Sequence, residues 1–450
     1  MRDPRIFKSV IVLIVLAGLF VSSLIASTVP GSLTFTNTPL VRPEEGVSEP
    51  AISIAANGTM AITGLQWLFD PNFFGTHYWS GPFGSTPTFR GLLDANLQKP
   101  GKAVFGSGDA DVDLGSTGVL HATSLIFLIN PTFINAQIGV SAITCTNATA
   151  SDCTSQIIDT AGADRQWITS EGSHVYISYH DSANSSLIRV QRSDDDGYTW
   201  KKVGNPIVGQ GRTTGNATFN NTAGPIVADP FTHNVYTIYA AGEPGIQKAT
   251  SADFNNIYVS RSTDGGHSWT ATLVYHAPLF TPLNNIFPSL AVDPTNGKLY
   301  ATWADPHSIF FSSSSDQGGH WSPAVTVNIA PASSGLFPWV AAYSGTVDVV
   351  YYATNGSGKD DPAAVWNVYL AQTTNDGASF AQSKVSNTPN HVGVICTEGA
   401  GCASDRTLLD LFEVAIDPQN GRAAVIYTDD TITDTSSGDP LPQIVLATQN

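Results

Sequence analysis

Ser193-Asp-Asp-Asp-Gly-Tyr-Thr-Trp200 recurs as Ser262-Thr-Asp-Gly-Gly-His-Ser-Trp269, Ser314-Ser-Asp-Gln-Gly-Gly-His-Trp321 and Thr373-Thr-Asn-Asp-Gly-Ala-Ser-Phe380. The shared pattern is Ser/Thr-x-Asp/Asn-x-Gly-x-x-Trp/Phe, at spacings of 52 to 69 residues, too regular for chance. Its residue types describe a fixed turn. Asp195, Asp264, Asp316 and Asn375 are expected to accept backbone N–H groups two residues on, as Asx turns do. Gly197, Gly266, Gly318 and Gly377 supply a positive φ. Trp200, Trp269, Trp321 and Phe380 each supply a large apolar plug.

Outward from these turns the chain reads as strands. Each octapeptide follows a β-rich run, such as Asn256-Ile-Tyr-Val-Ser260 or Asn367-Val-Tyr-Leu-Ala371. Upstream of each lies an apolar strand, an Asp-Pro or Gly turn and an aromatic-rich strand, clearest in Ser289-Leu-Ala-Val-Asp-Pro-Thr-Asn-Gly-Lys-Leu-Tyr-Ala-Thr-Trp303. Seven such units begin near residues 48, 108, 164, 223, 286, 337 and 410. Four strands per unit at this period predicts an all-β, seven-bladed propeller over residues 28–450, with six blades as the alternative count. The last unit has three strands, ending at Gln443–Gln449, so Ser32–Asn37 is expected to supply the fourth and close the ring.

The octapeptide resembles the Asp-box, or BNR repeat, of the sialidase (neuraminidase) superfamily, and the resemblance covers most of the chain. It implies a propeller used by sialidases, other glycoside hydrolases and non-catalytic receptors; the box identifies a fold rather than an activity. The superfamily's sialidases hold a sugar carboxylate with three arginines and use a tyrosine nucleophile, its carboxylate partner and an aspartic acid/base. Arginine suits the first task because its planar fork meets a carboxylate bidentately.

Composition narrows the partners. Of 450 residues only 13% are charged, with 37 acids against 20 Lys and Arg and a net charge of −17. So little basic surface argues against nucleic acid, whose binding rests on phosphate neutralisation. Arg2, Arg5 and Lys8 precede an apolar run, Val10 to Ala26, that reads equally as a cleaved secretory signal or an N-terminal membrane anchor, residues 1–27. Either places the remainder outside the cytoplasm, extracellular or at the cell surface, with the membrane touched only through this segment. Cys145 with Cys153 and Cys396 with Cys402 read first as two short-loop disulfides, although four cysteines allow three pairings. Asn-x-Ser/Thr acceptors begin at Asn57, Asn147, Asn184, Asn216, Asn220 and Asn355.

In a four-stranded meander alternate turns lie on opposite faces, so the octapeptides share a face with the strand-one to strand-two turns. The other face receives Glu49, Asp109, Asp111, Asp164, Arg165, Asp181, Glu243, Asp305, His307, Asp360, Asp361, Asp405, Arg406, Asp410, Asp429 and Asp430, and its longer loops are where function is expected. Against the sialidase pattern, Arg165 and Arg406 are the second and third arginines, with Arg90 or Arg42 as the first. Asp109 and Asp111 are offered as acid/base, and Tyr427 or Tyr179 as nucleophile with Glu413 or Glu49 beside it. Asp164, Trp167, Trp303, Asp305 and Asp405 are expected around the sugar. Tyr179, Tyr239, Trp303, Tyr352 and Tyr427 end second strands near this rim, where they read either as platforms or as blade packing. The Phe/Tyr-Arg-Ile-Pro string of sialidases does not occur, the nearest being Thr88-Phe-Arg-Gly-Leu92.

The expected partner is therefore a glycan or polysaccharide, hydrolysed or recognised, with a non-catalytic surface propeller binding polysaccharide or a surface protein as the alternative. No cofactor and no metal site is assigned, though structural calcium stays open at Asp429–Asp430 and Asp360–Asp361. The disulfides are expected to brace the entries to Arg165 and Arg406. With few ion pairs to lose, the fold is expected to persist to acidic pH.

Overall fold

The computed structural model describes residues 32–42, 45–66, 75–129, 136–181, 187–207, 221–243, 254–283, 286–433, 438 and 441–450. The basic and apolar segment 1–27 lies outside the described residues, as do the acceptors at Asn184, Asn216 and Asn220. Asn57, Asn147 and Asn355 are exposed.

Seven antiparallel sheets carry the fold. Their first strands are Val47–Ile54, Ala103–Leu114, Ala163–Glu171, Asn221–Ala228, Ser289–Val292, Ser334–Tyr343 and Glu413–Ile416, and each touches the next in a closed ring. These define blades one to seven around one axis, and each blade steps outward through three more strands. The outer strand of blade seven is Phe35–Pro39, paired from Phe35 opposite Gln449 to Pro39 opposite Val445. The two ends of the chain thus close the ring as the sequence predicts. Blade six carries an unpredicted fifth strand, His391–Val392, on the strand Val365–Thr373. Among the described residues helix is confined to one 3₁₀ turn, Gly399–Gly401.

Second strands are buried throughout, because a blade lies against each of their faces. Val235–Ala241, Leu299–Ala304 and Ala423–Asp429 have no exposed position. This settles the aromatic residues. Tyr179, Tyr239, Trp303, Tyr352 and Tyr427 are all buried between blades and are not platforms at the rim. Trp303 packs on Tyr275 and Phe310 at 5.2 and 5.9 Å, and Tyr352 stacks on Phe412 at 4.1 Å.

Each first strand has one edge with no strand beside it, facing the axis, so its N–H groups need other acceptors. Side chains from neighbouring first strands supply them. Ile168 N–H donates to Asp111 Oδ2 at 2.8 Å, Ile52 N–H to Glu413 Oε2 at 2.9 Å and Leu114 N–H to Ser53 Oγ at 3.0 Å. First strands also bulge where they enter the ring, between Ser48 and Ala51, Gly106 and Ala110, Asp164 and Trp167, Ala223 and Ile226, and Leu336 and Trp339. At three of these bulges Glu49, Arg165 and Phe337 adopt left-handed φ of 52, 53 and 53°. Such bulges re-aim side chains, and here they set the contents of the mouth.

The octapeptides join third to fourth strands in blades three to six, on the face opposite that mouth. Their bonding differs from the Asx expectation. Asp195 Oδ1 accepts Thr199 N–H four residues on at 2.8 Å, while Ser193 Oγ accepts Gly197 N–H at 2.8 Å. The Asp264, Asp316 and Asn375 copies repeat this, with Ser268, His320 and Ser379 as donors at 2.8, 2.8 and 3.0 Å. The longer reach arises because two consecutive residues turn left-handed: Asp196, Gly265, Gln317 and Asp376 precede the four expected glycines at φ of 53 to 68°. Trp269 is buried, whereas Trp200, Trp321 and Phe380 are half-buried.

Candidate site at the propeller mouth

The mouth is built on Arg165. The bulge in blade three turns its guanidinium towards three acids from three other blades. Nη1 lies 2.7 Å from Glu49 Oε1 and 3.1 Å from Asp109 Oδ1, and Nη2 meets Asp410 Oδ2. Arg406 closes on the same acid, with Nη2 at Asp410 Oδ2 and Nε 3.3 Å from Oδ1. Asp410 N–H donates back to Glu49 Oε1 at 3.2 Å, and Phe287 lies under the Arg165 guanidinium at 4.5 Å. Arg165 and Arg406 therefore share one face and one carboxylate.

The electrostatics follow from crowding. Burial pushes the Glu49 carboxyl up to about 8, against the pull of Arg165 and with Asp109 and Asp410 adding to the rise. Burial likewise raises Asp109 to about 6, and Arg165 offsets part of it. Burial works against the Arg165 charge, but Asp109, Glu49, Asp410 and Asp164 outweigh it and hold the guanidinium firmly protonated. Burial thus favours the protonated form of Glu49 inside a knot of charges.

Beside the knot opens a cavity of about 480 Å³, lined by Asp164, Arg165, His180, Asn221, Phe287 and Glu398 among others. Glu398 belongs to the hairpin closed by the Cys396–Cys402 disulfide, which forms part of the cavity wall. The Cys145–Cys153 disulfide also forms, but between third and fourth strands of blade two, where later blades carry the octapeptide. It lies on the opposite face and does not brace Arg165, which corrects that expectation. Behind the hairpin, His391, Asp405 and Asp430 bring ligand-type atoms within 4.8 Å of one another. His391 Nδ1 lies 2.6 Å from Asp430 Oδ2 and its Nε2 3.0 Å from the Val394 carbonyl.

The remaining sequence candidates scatter. Arg90 is exposed on the outer strand of blade one, donating to Ser80 Oγ at 3.0 Å. Arg42 pairs with Glu45 at 3.0 Å and lies over Phe89. Neither joins Arg165 and Arg406. Tyr427 donates to Asn37 Oδ1 at 2.6 Å within blade seven, and Tyr179 of blade three to Asp159 Oδ2 of blade two at 2.5 Å. Glu413 and Asp111 face the axis on the octapeptide side. Trp167 is not beside a sugar site; with Trp339 and Phe287, at 5.3 and 5.9 Å, it packs near the axis. Asp305 caps its own turn through His307 and Ser308 N–H at 2.8 and 2.6 Å, and Asp405 caps Thr407 at 2.8 Å. The three-arginine, tyrosine–glutamate set of a sialidase is not assembled among the described residues. Sequence reading placed Glu49 and Asp410 on this face without seeing their role, since their partners come from distant blades. It missed Phe287 and Asn221 altogether, though Phe287-Pro288 occupies the bulge position of Glu49-Pro50 and Phe337-Pro338.

No protein-family model and no curated protein matches the sequence. Solved structures do. A protein of unknown function from Dyadobacter fermentans aligns at TM-score 0.52 and 13% identity, over 94% of this chain and 100% of its own. An ulvan lyase of a polysaccharide lyase family aligns at TM-score 0.53 and 13% identity, over 91% of this chain and 95% of its own. A second structure of that lyase, bound to -[GlcA(1-4)Rha3S]-, aligns at the same TM-score of 0.53. At this identity the likeness establishes the fold.

Proposed function

We propose that this chain is an exported glycan-recognising propeller whose mouth takes an uncharged sugar. The observation that carries the reading is the state of the arginines. Arg165 and Arg406 both meet Asp410, and Glu49 and Asp109 also crowd Arg165, so the Arg165 fork is taken, while Arg406 spends Nε and Nη2 on Asp410 and does not line the cavity. A sialate or uronate would meet surplus negative charge from Asp164 and Glu398. Sugar hydroxyls, by contrast, find carboxylate acceptors and an aromatic face, the usual make-up of a polar-lined pocket. The ulvan lyase bound to -[GlcA(1-4)Rha3S]- supports a carbohydrate as ligand of this architecture, there an acidic one, while the preference for an uncharged sugar rests on the charges of this mouth. The octapeptides are read as Asp-boxes of the sialidase superfamily, supported by their shared bonding. Export is supported by two disulfides in a chain with no free cysteine.

One observation favours hydrolysis as a second reading: burial raises Glu49 further than Asp109 beside it, to about 8 against about 6, the asymmetry an acid/base pair requires. Binding to an array of neutral, sialylated and uronate oligosaccharides tests the proposal, with a panel of chromogenic glycosides for hydrolysis. Neutral glycans should bind, and Asp164→Asn should weaken them about tenfold, the loss of one charge-assisted hydrogen bond. Preferential binding of sialylated or uronate glycans, lost in Arg406→Ala, would overturn it.

A further inference from the structure

The axis holds a second cavity, separate from the mouth pocket and lined by the first strands of all seven blades. Its volume is about 390 Å³. Beyond the bulge that holds Asp109, strand alternation in blade two puts Asp111 and Asp113 on one side, so that acids descend from the mouth. Asp109 ends on Arg165, but Asp111 and Asp113 line this lower cavity together with Glu413 of blade seven. Among the described residues no Lys, Arg or His lines it.

The three carboxyls are not equally satisfied. Asp113 accepts the hydroxyls of Ser53 and Ser170 at 3.3 and 2.6 Å. Asp111 accepts Val112 and Ile168 N–H at 2.7 and 2.8 Å. Glu413 holds Ile52 N–H with Oε2, but its Oε1 has no hydrogen-bond partner among the described residues, although the residue is only 3% exposed. Glu413 lines the cavity, and a buried carboxyl oxygen without a donor calls for a cation, a proton or water.

We propose that this axial cavity binds a calcium ion through Glu413 Oε1 and the Asp111 carboxylate, with water from the cavity completing its shell. The donors are all oxygen, which selects a hard cation. Calcium accepts an irregular, partly hydrated set more readily than magnesium, which demands near-ideal octahedral geometry. The ion would tie blade seven to blade two across blade one, beside the bond that Glu413 already makes to Ile52.

Protons compete for the same oxygens. Burial, with Asp113 adding to it, raises Asp111 to about 7, and burial and Asp111 raise Glu413 further above its ordinary range. The titratable groups lining the cavity are Asp111, Asp113, Glu413 and Tyr343. Calcium must therefore displace protons, so its affinity rises with pH.

Calorimetric titration of the EDTA-stripped protein with calcium chloride, paired with thermal melts, tests this. At pH 7.5 one saturable site is expected, with proton release seen as a dependence of the measured heat on buffer ionisation. A hundredfold excess over Kd should raise Tm by about 3 °C or more. At pH 5 the Tm shift should fall by half or more. Glu413→Gln keeps an acceptor for Ile52 and should abolish binding. No calcium binding by the wild-type protein, or full binding by Glu413→Gln, would overturn the proposal. So would binding that Glu413→Gln retains and His391→Asn removes, which assigns the ion to the His391 cluster. Should Glu413→Gln not fold, calcium binding to the wild-type protein without proton release would overturn it equally.

Discussion

Arg165 is one guanidinium answering for three carboxylates, and that ratio decides what its removal does. A carbohydrate-clamping arginine would be dispensable for folding; this one is not placed to be. Arg165→Ala leaves Glu49, Asp109 and Asp410 facing one another in a site where their side chains are 2, 14 and 1% exposed. Breaking a buried ion pair from one side costs about 3–5 kcal/mol. We therefore expect Arg165→Ala to lower the urea midpoint by that equivalent, and Arg165→Lys to recover little, since an ammonium cannot span the fork. Arg406→Ala, at a more exposed side chain with one acid partner, should cost far less. An unchanged midpoint in Arg165→Ala would show that the knot does not support the fold. Sequence placed Arg165 and Arg406 on one face as members of a carboxylate clamp, with Asp164 and Asp405 around the sugar. The actual partners come from blades one, two and seven, selected by a left-handed bulge that local sequence does not announce.

Among the elements, strands and turns were legible because each carries its own signal: β-rich runs for strands, and an eight-residue pattern recurring every 52 to 69 residues for the turn. The fourth strand of blade seven was legible for a different reason, as the one missing edge in a fold that must close. The contacts of the links between blades were not, since parity gives a loop its face but not the side chains it meets there. The two disulfides show the difference. Both read as short-loop pairs by spacing alone, yet Cys145–Cys153 clamps the turn between third and fourth strands on the octapeptide face, while Cys396–Cys402 lies in the link from blade six to blade seven and walls the mouth cavity. Replacing Cys396 and Cys402 by serine should weaken glycan binding several-fold while leaving the β-sheet circular dichroism intact. The corresponding change at Cys145 and Cys153 should leave binding alone. Equal effects from both pairs, measured by titration of the same neutral oligosaccharide, would refute this division.

Across the whole molecule, a chain with few charges has put an unusual share of its acids out of water, and this fixes how stability responds to pH. Acid tolerance was expected from a scarcity of ion pairs; the structure supplies a stronger cause. Burial raises Glu49 to about 8, Asp109 to about 6, and Asp111 and Asp348 each to about 7. A carboxyl whose folded pKa is raised keeps a proton that the unfolded chain releases. Its stabilising contribution is complete below the ordinary carboxylate range near 4 and is lost as pH climbs through 6 to 8. Opposing groups act at lower pH. Hydrogen bonds hold Asp264 and Asp316 near 2, so their contribution is present above about 4 and lost only as pH falls through 2. Burial lowers His121 to about 4, and its contribution declines between about 6.5 and 4. Burial lowers His77 too, but two histidines against these four raised acids leave the balance on the acidic side, and protonation also relieves the net charge of −17. In calcium-free buffer Tm should therefore rise from pH 8 to a maximum near pH 5, then fall below about pH 3. Asp348 isolates the effect, lying outside both cavities with Oδ1 held by Gln372 at 2.9 Å and Oδ2 unpartnered among the described residues. Asp348→Asn should flatten the decline between pH 6 and 8 without lowering Tm at pH 5. A Tm that instead increases steadily from pH 5 to 8 would show that these acids are ionised in the fold.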